Sequence, residues 1–102
     1  NDVATPVTEA TLKLTSKQNT VNTVYTPGSE VETQKGTITF YYVDKDGVKV
    51  ELDSFNFSTT TALTYTVTVP AGGNVMTYDV YAVAKTVDGD VIVTSNTVQA
   101  RA

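Results

Sequence analysis

The chain contains no cysteine, no histidine and no tryptophan. Without cysteine, disulfides and thiolate chemistry are excluded, and without histidine or cysteine the usual nucleophile–base arrangements cannot form. A Ser–Lys or paired-carboxylate arrangement stays open, although no motif supports one. No zinc-type cluster occurs, and no run of about 18 apolar residues could span a membrane. We therefore expect a protein that is not an enzyme and that needs no metal or other cofactor.

Positive charge is also scarce. Seven basic residues face eleven acidic ones, so the net charge is −4. Nucleic-acid binding depends on clustered lysine and arginine, and the few basic residues here are scattered. The composition therefore argues against a nucleic-acid partner.

Threonine (20) and valine (17) are abundant in the 102 residues. Both are β-branched and favour strands. Residues 1–7 carry a proline and no periodicity, and are predicted to form a linker. Residues 8–102 are predicted to form a single all-β domain.

One hairpin can be placed in register from the pattern. Alternation puts Phe40 and Tyr42 on one face, and Val50 and Leu52 on one face of the next strand. A three-residue loop at residues 45–47, with Gly47 in the left-handed conformation, would pair Tyr42 with Val50 and Phe40 with Leu52. The aromatic residues 55 and 57 then change parity, which predicts a bulge or strand end near residues 53–54.

The second half of the chain contains three long β-type runs within residues 61–98, separated by two turn clusters. With the earlier strands they predict a two-sheet antiparallel immunoglobulin-like sandwich of seven to eight strands. The last run, residues 91–100, is predicted to be one strand. The parity of the preceding run, residues 75–87, stays open.

The carboxy-terminal half resembles the fibronectin type III and broader immunoglobulin-like family. The resemblance rests on residues 78–84 (YDVYAVA), 88–90 (DGD) and 95–98 (SNTV), and covers roughly residues 37–102. Residues 57–67 (FSTTTALTYTV) with 95–98 also resemble immunoglobulin-like modules of outer-membrane starch-utilisation lipoproteins. The buried tryptophan typical of the second strand of fibronectin type III is absent.

Aspartates flank two predicted turns, at residues 44–47 and 88–90. The first superficially resembles a calcium loop, but it is followed by Val48, Lys49 and Phe55 where a helix–loop–helix site requires Asp or Asn, Gly and Glu. In an immunoglobulin-like topology the two turns lie at opposite ends. Both are therefore interpreted as turns.

One exposed patch is predicted. If Tyr78, Val80 and Ala82 face the core, the alternate residues of that strand face outward, beside the outward residues of its neighbour. The candidate binding patch consists of Tyr41, Val43, Tyr81 and Val83, and exposed apolar patches often mark interaction sites. There are two alternatives: a neighbouring domain covers the patch, or the parity of the strand is reversed and these side chains do not face outward.

Three functional hypotheses follow. The first is a spacer or adhesion module of an exported protein, such as a surface lipoprotein, in an extracellular, cell-surface or periplasmic location. The second, implied by the resemblance, is a carbohydrate-binding accessory module of a glycan-utilisation protein. The third is a fimbrial or surface-layer subunit that assembles by strand donation. The expected partners are neighbouring domains or a glycan.

Overall fold

A computed structural model describes residues 10–28, 34–43, 46–69 and 77–101. These residues form eight β-strands, and no helix occurs among them. The predicted linker at residues 1–7 lies outside the described residues. The strands are β1 (Thr11–Lys17), β2 (Thr20–Thr26), β3 (Lys35–Val43), β4 (Lys49–Ser58), β5 (Leu63–Thr68), β6 (Thr77–Thr86), β7 (Val91–Thr94) and β8 (Val98–Arg101).

The strands form two antiparallel sheets. The three-stranded sheet has the order β1-β2-β5, and the five-stranded sheet has the order β4-β3-β6-β7, with β8 also paired to β6. β7 and β8 pair with different parts of β6, so the last predicted strand is interrupted at residues 95–97. The prediction of an all-β protein with two antiparallel sheets is confirmed.

The core lies between the sheets and follows the alternation of each strand. On β6 the residues Tyr78, Val80, Ala82 and Ala84 are buried, which establishes the parity that the sequence left open. β3 contributes alternate residues in the same way. The buried apolar residues are Ala10, Leu12, Leu14, Val21, Tyr25, Ile38, Phe40, Phe57, Val67, Val69, Tyr78, Val80, Ala82, Ala84 and Ala100.

The β3–β4 hairpin confirms part of the predicted register. Tyr42 pairs with Val50, and Gly47 has a φ of 79°, in the left-handed region. The predicted pairing of Phe40 with Leu52 is wrong, because the register shifts between Phe40 and Tyr41 and Phe40 pairs with Asp53. The bulge therefore comes one step earlier than predicted. The bulge turns Phe55 and Phe57 of β4 toward the core. Position 45 of the predicted loop lies outside the described residues.

A tyrosine on β2 is fully buried in a chain that has no tryptophan. Tyr25 is 0% exposed, and its ring meets Phe57 edge to face with centroids 4.8 Å apart. Its hydroxyl donates a 2.7 Å hydrogen bond to the carbonyl oxygen of Thr59. Burial raises the pKa of Tyr25 above its usual value. A single buried aromatic side chain thus joins β2 to the end of β4, with its polar tip satisfied.

The sheets are also joined along one side by an asparagine. Asn96, in the interruption between β7 and β8, accepts a hydrogen bond from the backbone N–H of Leu14 at 2.8 Å. Its side-chain amide donates to the carbonyl oxygen of the same residue at 3.0 Å. The amide thereby satisfies both backbone groups of Leu14 on the open edge of β1, as a neighbouring strand would.

Candidate binding face

The outward side of the five-stranded sheet brings the four predicted patch residues together. Tyr41 on β3 lies directly opposite Tyr81 on β6, and Val43 and Val83 lie on the adjacent rows of the same face. All four side chains are partly exposed. This placement follows from the buried even-numbered residues of both strands, since successive side chains point to opposite faces.

The two tyrosines form a stacked pair. Their ring centroids are 5.4 Å apart and their planes differ by 29°. On the other side, the ammonium nitrogen of Lys49 lies 4.7 Å from the centroid of the Tyr41 ring. A cation at this distance is attracted by the negative face of the ring. Tyr41 is therefore held between Tyr81 and Lys49, while Tyr81 stands next to the interruption between β7 and β8.

Lys49 was not among the residues predicted for this face. It starts β4 and pairs with Val43, whereas Glu51, the next residue of β4 on the same face, pairs with Tyr41. The predicted hairpin register already pointed Val50 toward the core. Lys49 could therefore have been assigned to the outward face from the same alternation.

Away from the tyrosines, the same face becomes polar and basic. One row of paired residues runs from Asn56 through Thr37 to Lys85, and the next pairs Ser58 with Lys35. An open depression of about 480 Å³ lies at this end of the sheet. Its lining residues are Lys35, Gly36, Asn56, Phe57, Ser58 and Val87.

One carboxylate is paired away from this face, where the two sheets meet. The hydroxyl of Tyr65 on β5 donates a 2.8 Å hydrogen bond to Asp53 Oδ2 on β4. That hydrogen bond, with lesser effects of burial and of the negative charge, raises the pKa of Tyr65. The Tyr65 ring also stacks on Phe55 at 4.0 Å. The Tyr65–Asp53 hydrogen bond links the two sheets and favours the protonated form of the tyrosine.

The aspartate turns lie at opposite ends of the five-stranded sheet. Asp46 belongs to the connection from β3 to β4, whereas Asp88 and Asp90 belong to the connection from β6 to β7 at the other end of the sheet. Position 44 lies outside the described residues. In the part of the chain that the structure describes, no three His, Cys, Asp or Glu side chains gather where they could hold a metal ion.

Comparisons with known proteins add a likeness of fold. No family model and no curated protein matches the sequence. Among solved structures, the chain is similar to pectate lyase Pel3 from Pectobacterium carotovorum, with a TM-score of 0.51 and 14% identity. The match covers 89% of this chain and 26% of that chain. Within the described ranges, no helix has the length and apolar character needed to cross a membrane.

This likeness corrects one expectation. The sequence was interpreted as a protein that is not an enzyme, yet the similar chain is a pectate lyase. The fold of this chain is therefore similar to about a quarter of the length of an enzyme. The absence of histidine and cysteine from the sequence does not distinguish it from enzymes. At 14% identity the likeness concerns the fold.

Proposed function

We propose that this chain is an immunoglobulin-like module of an exported protein and that it binds a glycan through the outward face of its five-stranded sheet. The orders β1-β2-β5 and β4-β3-β6-β7 support the fold assignment. They correspond to strands A-B-E and C′-C-F-G of an immunoglobulin-like sandwich. The resemblance of residues 78–84 and 95–98 to that family points the same way.

The stacked pair of Tyr41 and Tyr81 is the observation that carries the proposal. Aromatic side chains of the core are buried by the opposite sheet, whereas these two rings stand partly exposed on the outer side. Tyrosine provides a large contact area and a hydroxyl that can exchange hydrogen bonds with a ligand. Such a pair suits a partner that is both apolar and hydroxylated.

A glycan has that chemistry, because a sugar ring presents C–H groups on its faces and hydroxyls at its rim. Asn56, Thr37 and Ser54 lie on the same outward face and offer amide and hydroxyl groups. The likeness of fold to a pectate lyase and the resemblance to starch-utilisation modules both favour a carbohydrate partner. The match covers only 26% of that chain, which fits a module within a larger protein.

Glycan-array binding with matched variants tests the proposal. We expect Tyr81→Thr and Tyr41→Thr each to weaken glycan binding about tenfold, which corresponds to about 1.4 kcal/mol. Val24→Thr is the control, since Val24 is a 40% exposed apolar residue on the three-stranded sheet. It should leave binding unchanged.

Two outcomes would contradict the proposal: no array glycan binds, or the Val24 control loses binding as much as the tyrosine variants do. If Tyr81→Thr instead abolishes association with a neighbouring domain of the parent protein, the spacer hypothesis replaces glycan binding. Export is tested separately. Brief protease treatment of intact cells should remove the protein if it lies on the cell surface.

A further inference from the structure

The outward face changes character along its length. Around Tyr41 the rows contain aromatic and acidic residues, because Glu51 pairs with Tyr41, and Asp79 on β6 pairs with Val43. Lys85 lies four residues after Tyr81 on β6 and on the same face. At the usual rise per residue of a strand, the two are roughly 13 Å apart. An extended ligand lying along β6 would therefore pass from rings to cations.

The basic end is built by two neighbouring strands. Lys85 pairs with Thr37, and Lys35 lies two residues from Thr37 on the same face. The two lysines are therefore diagonal neighbours in the sheet. Neither forms an ion pair with any residue that the structure describes. In a chain of net charge −4, these two lysines place two positive charges on neighbouring strands at this end of the outward face.

The depression at this end combines that charge with hydrogen-bond donors. Lys35, Asn56 and Ser58 line it, and Phe57, which is 7% exposed, lies beneath them. An ammonium, an amide and a hydroxyl can all donate to a carboxylate oxygen. Hydrogen bonds to a charged acceptor are stronger than those to a neutral one. The lining is therefore suited to an anionic, hydroxylated ligand.

We infer that this depression recognises the carboxylate of an acidic sugar, so that the module prefers uronic-acid polysaccharides to neutral ones. The inference rests on the proposed glycan binding and specifies the class of glycan. The tyrosine pair would contact any sugar of suitable shape, whereas the basic end discriminates by charge. Recognition by paired charges strengthens as ionic strength falls.

The test compares two probes, an oligomer of galacturonate and a neutral α-glucan oligomer, by isothermal titration calorimetry. The variants are Lys35→Gln and Lys85→Gln. The control is Lys13→Gln, which removes one positive charge from an exposed position of β1 on the other sheet. Lys35 lines the depression, and Lys85 lies beside it on β6. We expect each of these two variants to weaken galacturonate binding about fivefold at low salt, which corresponds to about 1 kcal/mol. Binding of the neutral glucan, and of both probes by the control, should stay unchanged.

The outcomes separate the two proposals. If the neutral glucan binds through Tyr81 and galacturonate does not bind more tightly, the acidic-sugar inference is overturned and glycan binding stands. If Lys13→Gln weakens galacturonate binding as much as Lys35→Gln does, the effect comes from overall charge and the inference is again overturned. If neither probe binds and no other glycan does, both proposals fail.

Discussion

The two sheets use the same β-branched residues but present different outer faces. The outward side of the three-stranded sheet is almost wholly threonine, asparagine and lysine, with Val24 as its exposed apolar residue. The outward side of the five-stranded sheet carries the Tyr41–Tyr81 pair and two valines. Both sheets form, so a polar outer face is sufficient for strand pairing in this chain. The rings on the other sheet are therefore not needed for strand pairing, which leaves them available for the proposed binding.

Two strands of the five-stranded sheet approach each other closely at a glycine. In the five-stranded sheet, a Cβ added to Gly36 would overlap the backbone carbonyl oxygen of Lys85 and lie 2.9 Å from the Phe57 ring. A backbone atom cannot move aside as a flexible side chain can. We expect Gly36→Ala to destabilise the protein by about 3 kcal/mol, an overpacking effect. Urea unfolding measures it, and a loss under 1 kcal/mol would contradict the close approach of β3 and β6.

The hairpin turns of the two sheets provide a second, smaller contrast. Gly47, between β3 and β4, has a φ of 79°, and an added Cβ would meet nothing within 4 Å. Only backbone strain opposes substitution there, so we expect Gly47→Val to cost about 1–2 kcal/mol. The turn of the three-stranded sheet instead holds Gln18 at a φ of 56°. Gln18→Gly is the reciprocal variant, and should change stability little or raise it. Equal melting temperatures for wild type and Gly47→Val would disprove the assigned turn.

The inner face of the three-stranded sheet contains one unsatisfied polar atom. The Thr23 hydroxyl is buried and has no hydrogen-bond partner within the described part of the chain. Replacing it with a methyl group of similar shape removes a desolvation penalty. We expect Thr23→Val to stabilise the protein by about 1 kcal/mol in thermal unfolding. Thr64→Val, at an exposed position of β5, is the control. Destabilisation by Thr23→Val would indicate that the hydroxyl is satisfied, for instance by a buried water.

The smallest expected effect concerns the contact between the sheets, and it depends on pH. The pKa of Tyr65 is raised in the folded protein by its hydrogen bond to Asp53. The stabilisation from this bond is therefore complete below the unfolded tyrosine pKa of about 10 and is lost as pH rises through the folded value. Tyr65→Phe should show a shallower loss of stability above about pH 10. If the alkaline slopes of the two proteins coincide, the hydrogen bond contributes nothing. Tyr25, whose pKa is also raised, is the same in both proteins.

Alternation explains what the sequence could predict. Phe40 and Tyr78 lie on the buried sides of their strands as the period of two requires, and the patch residues Tyr41 and Tyr81 come together for the same reason. Turn chemistry identified Gly47. These signals are local, so they can be recognised in the sequence without knowing which strands pair.

The remaining features depend on contacts between distant residues. The bulge opposite Phe40 moves the register by one residue, and alternation within a single strand cannot specify where that occurs. The hydrogen bonds of Asn96 to Leu14 span 82 positions. The basic end of the outward face likewise requires three strands to be in register, so Lys35 and Lys85 could not be associated from their spacing. The absence of histidine gave no information about whether the protein is an enzyme.

The bond from the Arg101 N–H to the carbonyl oxygen of Gln18 places the end of β8 beside the turn where β1 finishes. Because β1 starts seven residues earlier, the two ends of the described fold point away from each other. A force applied through both ends would act parallel to the strands. The hydrogen bonds between β1 and β2, and those of the Asn96 amide to Leu14, would then be loaded in shear and not broken one at a time. Copies joined end to end would transmit tension along their common axis while keeping the tyrosine face turned to the side.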